Sequence, residues 1–412
     1  MELATQKLVR EFNAMTILNV IRENEPISRA DIVKITKLAF PTVMRIVDML
    51  INGNLVIETV PAESTVGRRP MLLCMNKDAF YVIGAVIHSN IDIWMLDMQS
   101  NVLSKWSELV HPGKDTAEDQ LARTAEMINM LIASCGIEKE RIAAVSIAHP
   151  GTDFLANPRI QTTQFAGWQK PHHIKPLMEE AIGLPVRVEN ISRAFTYGEI
   201  YHGLGRHYKD FLLVRVDSGV SGCNVINSKI LEGKHGVSGE FGHTSIDPIN
   251  GRLCYCGNRG CIESYISKWG IVETLQERLD STSPLYQALR GSLSLLTFEK
   301  AAEATQYDPV VAEVFREAGR LFGHTLVNFV NMLDPNAIIL CGDVVTASND
   351  FVKEAERVMR ASIFSNKARK VKLLVSPIRD SQRLLGTATA AILDTLAGYL
   401  HRENKKKANA SD

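Results

Sequence analysis

The sequence predicts an α/β protein in which a small module of helices and two short strands precedes a longer body of alternating strands and helices. Apolar residues recur at helical spacing between residues 14 and 51, and short β-branched runs alternate with amphipathic segments from Phe80 onward. A histidine and three cysteines lie together between residues 243 and 261. The chain has 412 residues, which is enough for two or three domains that each bury a core.

The module begins with three predicted helices. The first ends near residues 24–26, and its apolar face consists of Ala14, Ile17, Leu18 and Ile21. Ser28 offers a side-chain cap for the second helix, and Asp31 favours the positive end of its dipole. The third helix is expected to begin near Pro41 and to end at residues 52–54. Its buried face is predicted to contain Val43, Ile46, Val47, Leu50 and Ile51.

Two short strands, residues 55–57 and 71–74, are predicted to flank a loop that contains Arg68 and Arg69. Three helices followed by such a hairpin are typical of a winged helix-turn-helix, here residues 1–75. The third helix would enter the major groove of DNA, and the loop arginines would reach phosphates or a narrow minor groove. The candidate DNA-binding residues are Ser28, Arg29, Pro41, Thr42, Met44, Arg45, Arg68 and Arg69. The alternative is a three-helix protein-interaction module.

The body is predicted to form two related α/β lobes. The first would span residues 76–190 and be completed by a C-terminal helix at 385–402, and the second would span 191–384 with an oligomerisation surface. The main predicted elements are strands at 81–87, 91–97, 142–147, 185–188 and 211–216 and helices at 117–135, 192–203 and 387–400. The lysines at 405–407 are expected to belong to a disordered end.

The composition and the N-terminal residues limit the classes of protein to which the chain can belong. Forty-six basic residues balance 46 acidic ones, so no overall field favours nucleic acid or membranes, and any DNA binding must come from a local surface. The N-terminus lacks the apolar core of a signal peptide, and no run of eighteen apolar residues occurs. An odd number of cysteines, seven, fits a reducing compartment better than a disulfide framework. We therefore expect a soluble, cytoplasmic protein.

The cluster of one histidine and three cysteines predicts a metal site. The candidate ligands are His243, Cys254, Cys256 and Cys261. Zinc binds thiolate sulfur and imidazole nitrogen in a tetrahedral shell, and Gly257 and Gly260 allow the tight turns that this arrangement needs. Because no fifth candidate ligand or open position is apparent, a structural Zn²⁺ is expected. The alternative is a set of free thiols or a disulfide.

The same segment carries a family resemblance. Gly239-Glu240-Phe241-Gly242-His243, followed by Cys254-x-Cys256-Gly257-x-x-Gly260-Cys261-x-Glu263, resembles the signature of the ROK family of bacterial sugar kinases and sugar-responsive repressors. The N-terminal Ser28-Arg29-Ala30-Asp31 and Thr42-Val43-Met44-Arg45-Ile46-Val47 resemble the repressor branch of the NagC/Mlc/XylR type. The resemblance implies an actin-like, ribonuclease-H-like body of the sugar-kinase type over residues 76–400, behind the winged helix-turn-helix.

The resemblance also implies an effector site. Asn190, Glu240, His243 and Glu263 match family positions that contact sugar hydroxyls, with His243 shared between the metal and the pocket. The alternative is that these polar residues only cap helices and satisfy buried backbone groups. Ile191 stands where the kinases have a catalytic aspartate, so the ligand would differ from an ordinary hexose or the pocket would be vestigial.

Kinase activity is not expected. The first phosphate loop of the kinases is replaced around Ala85, Ile87 and His88, and Asp217 in the second loop would place a negative charge towards a nucleotide. Ile191 cannot accept a proton, and loss of a general base alone costs about 10² to 10⁴ in rate.

The sequence therefore predicts a sequence-specific transcriptional regulator, expected to be a repressor of sugar uptake or metabolism genes. Its partners would be double-stranded operator DNA and a sugar or sugar-phosphate effector, or a transporter or phosphotransferase protein. A homodimer or homotetramer would bind two half-sites, and effector binding would alter their spacing. One alternative is a sugar kinase with a DNA-binding appendage. Another is an interaction protein that docks on a transporter or phosphotransferase component.

Overall fold

The structure is a computed structural model that describes residues 6–59, 71–88, 90–111, 115–149, 173–378 and 383–409. The described residues fall into two compact units. The first unit comprises Met1–Ala148, His173–Glu189 and Thr387–Asp412, and the second comprises His149–His172 and Asn190–Gly386. Within the described residues, no helix is both long and apolar enough to cross a bilayer.

The N-terminal module of the first unit contains three helices and a three-stranded sheet. Its elements are α1 (Gln6–Asn24), β1 (Ile27–Ser28), α2 (Arg29–Thr36), α3 (Phe40–Asn52), β2 (Val56–Thr59) and β3 (Leu72–Met75). The strands pair antiparallel in the order β1-β3-β2, and the two-residue strand β1 was not predicted from the sequence. The predicted apolar faces of α1 and α3 are buried, except that Ile51 is only half-buried.

Helices α2 and α3 differ in how their ends are capped. Ser28 caps α2 by accepting a hydrogen bond from the Asp31 amide, as the sequence predicted. Helix α3 begins at Phe40, one residue earlier than expected, and its N-cap residue Ala39 makes no side-chain cap bond. Gly53 is the C-cap residue of α3, and its amide donates to the Met49 carbonyl at 3.0 Å.

The rest of the first unit is built on a five-stranded sheet. Its elements are β4 (Tyr81–Ile87), β5 (Asn90–Asp97), β6 (Val102–Leu109), α4 (Ala117–Ser134), β7 (Ile142–His149), α5 (Ile174–Ile182) and β8 (Val186–Asn190). The strand order is β6-β5-β4-β7-β8, with β4 antiparallel to β5 and parallel to β7. The sequence predicted this hairpin, helix and pair of strands but not the edge strand β6.

The second unit has a sheet of the same strand order. Its elements are α6 (Ile191–His202), β9 (Phe211–Val216), β10 (Val220–Ile226), β11 (Lys229–Ile230), α7 (Glu263–Ile266), α8 (Lys268–Arg278), α9 (Pro284–Ala288), α10 (Phe298–Ala304), α11 (Pro309–Leu333), β12 (Ala337–Cys341), α12 (Asp343–Ala347), α13 (Asn349–Ser362) and β13 (Lys372–Val375). The order β11-β10-β9-β12-β13 repeats that of the first sheet, again with three successive antiparallel strands and a parallel pairing of the first strand with the fourth. The predicted α/β architecture of the body is thus present in both units.

The last helix, α14, extends over Arg383–Asn409. The boundary between the two units lies between Gly386 and Thr387, within this helix. The sequence placed the end of the helix near Leu400 and expected disorder at residues 405–407. That expectation was wrong, because the helical backbone continues through these lysines to Asn409.

Candidate metal centre and adjoining polar pocket

The predicted metal ligands lie in one segment between β11 and α7, the metal loop (residues 243–263). Ser245 forms an antiparallel bridge with Cys261, which brings the two ends of the loop together. In the turn between them, the Gly257 amide donates to the Cys254 carbonyl at 2.9 Å, and the Cys254 amide donates to the Asn258 carbonyl at 2.8 Å. These bonds return the chain on itself, so residues close in sequence place their side chains around one point.

The two glycines of this loop are required by its backbone. Gly257 has a φ of 87° and Gly260 a φ of 70°, both in the left-handed region that favours glycine. A Cβ atom on Gly260 would lie 2.0 Å from the carbonyl oxygen of Asp247. The tight turning predicted at these two positions is therefore present in the structure.

The four side chains lie at metal-binding separation. The candidate ligand atoms of His243, Cys254, Cys256 and Cys261 are all within 4.8 Å of one another. The sulfurs of Cys256 and Cys261 are 3.7 Å apart, and the Cys254 sulfur is 3.8 Å from His243 Nδ1. A tetrahedral zinc with Zn–S bonds of about 2.3 Å separates neighbouring ligand atoms by roughly 3.5–3.8 Å. The cluster can therefore hold one metal ion, whereas a disulfide would require a sulfur separation of about 2.05 Å.

The buried thiols of this cluster need a cation to form thiolates, because burial disfavours the charged form. Burial raises the pKa of the Cys254 thiol above its ordinary value, and it raises the pKa of the Cys261 thiol to about 11. Without a metal ion, the thiols of Cys254 and Cys261 are therefore protonated at neutral pH. A divalent ion binds the thiolate form and displaces these protons, so metal binding and deprotonation are linked. Three sulfurs and one imidazole form a donor set that is typical of structural zinc.

Glu263 connects the metal loop to the neighbouring sheet. Its carboxylate is 1% exposed, and Oε2 accepts a hydrogen bond from the Val220 amide in β10 at 3.2 Å. The other oxygen accepts from the Cys254 thiol at 3.4 Å and lies 3.7 Å from His243 Nδ1. Both oxygens of this predicted effector residue thus have partners within the protein, and its visible role is to hold the loop against the sheet.

A small polar depression lies beside the metal loop. It is lined by Asn190, Ser192, Arg193, Ser221, Gly222, Gly236, Ser238, Gly239 and Glu240. Asn190, a predicted effector residue, caps α6 through a 2.7 Å bond from the Ser192 amide to its Oδ1. Sequence reasoning missed Ser221 and Ser238, because isolated serines carry no distinctive spacing. The depression presents hydroxyl, amide and charged groups, which is the chemistry that a polyhydroxylated ligand requires.

Glu240 and His243 join this depression to the metal cluster. Glu240 Oε2 lies 4.0 Å from His243 Nε2, while Nδ1 of the same ring faces the cysteines. The Glu240 side chain is 46% exposed at the rim, yet the surrounding protein desolvates its carboxyl group and raises its pKa. The structure therefore brings three of the predicted effector residues, Glu240, His243 and Glu263, next to the metal ligands.

The sequence predicted that Asp217 would direct a negative charge towards a nucleotide, and this expectation was wrong. Asp217 is 2% exposed and forms an ion pair with Arg215 in β9 and another with Lys268, at 3.1 Å, in α8. Lys268 also pairs with Asp343 at the start of α12. We call Arg215, Asp217, Lys268 and Asp343 the Asp217 cluster. Because two basic side chains neutralise its charge, Asp217 does not present an unbalanced negative charge to a nucleotide.

The remaining residues at which the sequence departs from the kinase motifs are apolar or lie at the end of a strand. Ala85 and Ile87 are fully buried within β4, and the amide of His88 donates to the Asn90 carbonyl at 2.9 Å. Ile191 is the first residue of α6 and is 4% exposed. None of these side chains carries a carboxylate that could accept a proton from a sugar hydroxyl.

The N-terminal module presents part of the predicted DNA-binding surface. Pro41 and Arg45 of α3 are exposed, and Thr42 and Met44 are half-buried on the same helix, away from its buried apolar face. Arg68 and Arg69 lie outside the described residues.

The structure shows internal roles for Ser28 and Arg29, which the sequence grouped with the DNA-binding residues. The Ser28 hydroxyl donates to Asp31 Oδ2 at 2.7 Å, in addition to its capping bond. Arg29 forms ion pairs with Glu58 at 2.5 Å and with Asp48 at 3.3 Å, and its side chain is 18% exposed. Arg29 therefore links α2 to α3 and β2 within the module, a role that sequence reasoning missed.

Known proteins resemble this chain over most of its length. A sequence profile of the ROK family matches residues 89–393. The xylose repressor of Bacillus spizizenii is 28% identical over 394 residues, which cover 95% of this chain and 98% of that protein. The DNA-binding transcriptional dual regulator NagC of Escherichia coli strain K12 is 27% identical over 349 residues, which cover 82% of each chain.

Solved structures agree with the sequence matches. A ROK family transcriptional regulator, described as a homologue of the E. coli MLC protein, superposes with a TM-score of 0.78 at 25% identity, covering 96% of this chain and 98% of the other. A ROK family glucokinase from Streptomyces griseus, solved with glucose and AMPPNP, superposes with a TM-score of 0.61 at 28% identity, covering 75% of this chain and 98% of the other. The α/β fold is shared with a sugar kinase and with a transcriptional regulator, and the chain belongs to the ROK family.

Proposed function

We propose that this protein is a sequence-specific DNA-binding transcriptional regulator that represses sugar uptake or metabolism genes. One observation carries the proposal: a three-helix module with an exposed polar side on α3 precedes a ROK body in the same chain. The xylose repressor relative supports it, since that similarity covers 95% of this chain and therefore extends over both parts, and NagC matches 82% of the chain. A kinase would need only the body, and the glucokinase, covered over 98% of its own length, matches 75% of this chain.

In this proposal α3 is the recognition helix of a winged helix-turn-helix at residues 1–75. Thr42, Met44 and Arg45 would reach base edges in the major groove, and Arg68 and Arg69 would contact phosphates or the minor groove. The protein would act in the cytoplasm, where two copies in a homodimer or homotetramer would bind the two half-sites of an operator. Residues 76–190 with the C-terminal helix, and residues 191–384, would form the two lobes of the body.

The proposal assigns effector binding to the polar depression. A sugar or sugar phosphate would contact Asn190 and Glu240 there and His243 beside Glu240. A transporter or phosphotransferase protein is a second candidate partner. Zinc would be held by His243 and the three cysteines of the metal loop. Its role would be structural, since it would fix the ring of His243 and hence the wall of the depression.

The proposal includes the absence of sugar kinase activity. Its support is Ile191, a buried apolar residue at the position where the resemblance places a catalytic aspartate. A coupled ADP-release assay across sugars tests this part, and turnover that depends on added ATP would contradict it.

The test of DNA binding uses the full chain. Genomic fragments are selected with the purified protein, and Kd is measured by fluorescence anisotropy at 150 mM salt. Specific binding is expected to be at least about 10³-fold tighter than binding to a scrambled fragment. Arg45→Ala should raise Kd for the selected fragment by roughly 5- to 150-fold, equivalent to about 1–3 kcal/mol for a lost base contact.

The matched control is Arg360→Ala, which removes an exposed arginine of α13 that pairs with Glu356. This variant should bind the selected fragment like the unmodified protein. If no fragment binds above the level of scrambled DNA, the regulator proposal is wrong.

A further inference from the structure

The C-terminal half of α14 contacts the N-terminal module, at the end of the recognition helix. The Tyr399 hydroxyl donates a 3.4 Å hydrogen bond to the Met49 carbonyl in the last turn of α3. A Cβ atom on Gly53 would lie 1.8 Å from the Tyr399 hydroxyl oxygen and 2.3 Å from its ring carbon Cζ. The Tyr399 ring therefore occupies the volume that any larger residue at position 53 would fill.

The backbone does not by itself explain the glycine at position 53. Gly53 has φ −82° and ψ 4°, a conformation that other residues also adopt. A helix C-terminus often requires glycine because its φ is positive, but that reason is absent here. Contact with Tyr399 is thus the feature of the described structure that requires glycine at this position.

Two further contacts of α14 lie on either side of Tyr399. His401 Nδ1 is 3.2 Å from the Glu11 carboxylate on α1. Five residues before Tyr399, Asp394 pairs with Arg187 of β8 at 2.5 Å, and Arg187 pairs at the same distance with the buried carboxylate of Glu189. Helix α14 therefore contacts two helices of the module and also the strand β8.

Strand β8 leads directly to the proposed effector site. Glu189 is 3% exposed, and the next residue is Asn190, which lines the polar depression. Because Arg187 bonds both Glu189 and Asp394, a change in the position of Glu189 alters the hydrogen bonding of α14. A helix transmits such a shift along its length, since its backbone bonds resist bending and stretching more than loops do.

From these contacts we infer that Tyr399 is a positioning residue for operator binding and that α14 sets the orientation of the recognition helix. This inference rests on the proposed function and extends it to the route of regulation. Two recognition helices must match the spacing of two half-sites, so a small displacement of α3 weakens specific binding. Nonspecific attraction to phosphates depends on surface charge and does not change.

Gly53→Ala tests the inference directly. The added methyl group displaces the Tyr399 ring, which is the movable end of a side chain, while the backbone conformation still suits alanine. Affinity for a genomic fragment selected by the unmodified protein should fall by roughly 5- to 150-fold, the usual range of coupling between sites. Affinity for scrambled DNA should stay the same, and circular dichroism should show a folded protein.

A double-mutant cycle separates positioning from simple loss of stability. Tyr399→Ala should also weaken specific binding, and Gly53→Ala should have no further effect once the ring is gone, so the two effects are not additive. Tyr399→Phe retains the ring and should bind within about twofold of the unmodified protein. The matched control is Gly398→Ala on the same helix, whose Cβ would meet only Arg402 Nη1, at an ordinary 3.7 Å.

Several results would overturn the inference. Unchanged specific affinity in a folded Gly53→Ala protein would do so, as would strictly additive effects of the two substitutions. If Gly53→Ala does not fold, the comparison of Tyr399→Ala with Tyr399→Phe tests the inference instead. Equal affinity of these two variants for the selected fragment would refute a positioning role. If the unmodified protein selects no genomic fragment, the proposed function itself fails and the inference fails with it.

Discussion

Two clusters of ionisable side chains in the second unit, the metal loop and the Asp217 cluster, balance charge in different ways. The metal loop gathers three thiols and an imidazole beside the Glu263 carboxylate, all of which favour a cation. The Asp217 cluster contains two acidic and two basic side chains that pair with one another. The first cluster is chemically incomplete without an ion from outside, whereas the second is neutral by itself. A buried group of like donors therefore indicates a ligand, and a balanced group indicates structure.

The difference also concerns where the partners lie in the chain. The metal ligands all lie within the segment 243–261, so local turns can bring them together. The Asp217 cluster combines β9 and the loop after it with the starts of α8 and α12. Its charge balance therefore depends on the packing of the whole unit. Predictions that remove one partner from each cluster test this contrast.

The largest effect is expected for Cys256→Ser. The substitution removes one of four metal ligands, and structural zinc contributes about 10–16 kcal/mol of apparent binding free energy in zinc-finger peptides at pH 7. Metal content measured by mass spectrometry should fall from one ion per chain towards zero. Hydrogen exchange of residues 243–263 should become much faster, because the folding of this loop is linked to metal binding.

Cys135→Ser is the matched control, since Cys135 is a half-buried free cysteine at the end of α4. It should retain the metal and leave exchange in the metal loop unchanged. Stoichiometric zinc in Cys256→Ser would show that the ligand assignment is wrong, and equal metal loss in both variants would show that the cysteines act nonspecifically.

The second effect is expected for Arg215→Leu. Arg215 and Asp217 have side chains only 6% and 3% exposed, so the substitution leaves a buried carboxylate with one of its two basic partners. Breaking a buried ion pair from one side destabilises a protein by about 3–5 kcal/mol. The free energy of unfolding, measured by urea denaturation, should fall by somewhat less than this amount, because Lys268 still pairs with Asp217.

Restoring charge balance should recover much of this loss. In the double variant Arg215→Leu with Asp217→Asn, the buried charge is gone, so its stability should lie well above that of Arg215→Leu alone. Arg360→Leu removes an exposed ion pair and should change stability by no more than about 1 kcal/mol. A double variant as unstable as the single one would mean that Arg215 acts through packing against Phe195 and not through charge.

This contrast explains how much could be predicted from the sequence. The faces of α1 and α3, the Ser28 cap and the metal loop depend on residues that are near one another in the chain, and the structure contains all of them. Repeating patterns of period two or 3.6 and ligand spacing are local signals, so they survive without knowledge of tertiary contacts.

The features that sequence reasoning missed depend on distant partners. Arg29 resembles a free basic residue until Glu58 is placed beside it by the pairing of β2 and β3. Gly53 is indistinguishable from an ordinary helix stop, because Tyr399 reaches it from the far end of the chain. The charge of Asp217 was misread for the same reason, since Lys268 comes from another element.

The smallest effect is expected for Asp343→Asn, at the exposed end of the Asp217 cluster. The Asp343 side chain is 51% exposed, so its pair with Lys268 is screened by water and should contribute only about 0.2–1 kcal/mol.

Burial alone lowers the pKa of Lys268, but the carboxylates of Asp217 and Asp343 outweigh it and raise that pKa above 10.5. The stabilisation from these pairs is therefore complete below pH 10.5 and is lost as the pH rises through the higher pKa of the folded state. Asp343→Asn should lower the pH at which alkaline unfolding begins while leaving stability at pH 7 nearly unchanged. A loss at pH 7 as large as that of Arg215→Leu would show that water does not screen the Asp343 end, and the contrast between buried and exposed partners within the cluster would then be lost.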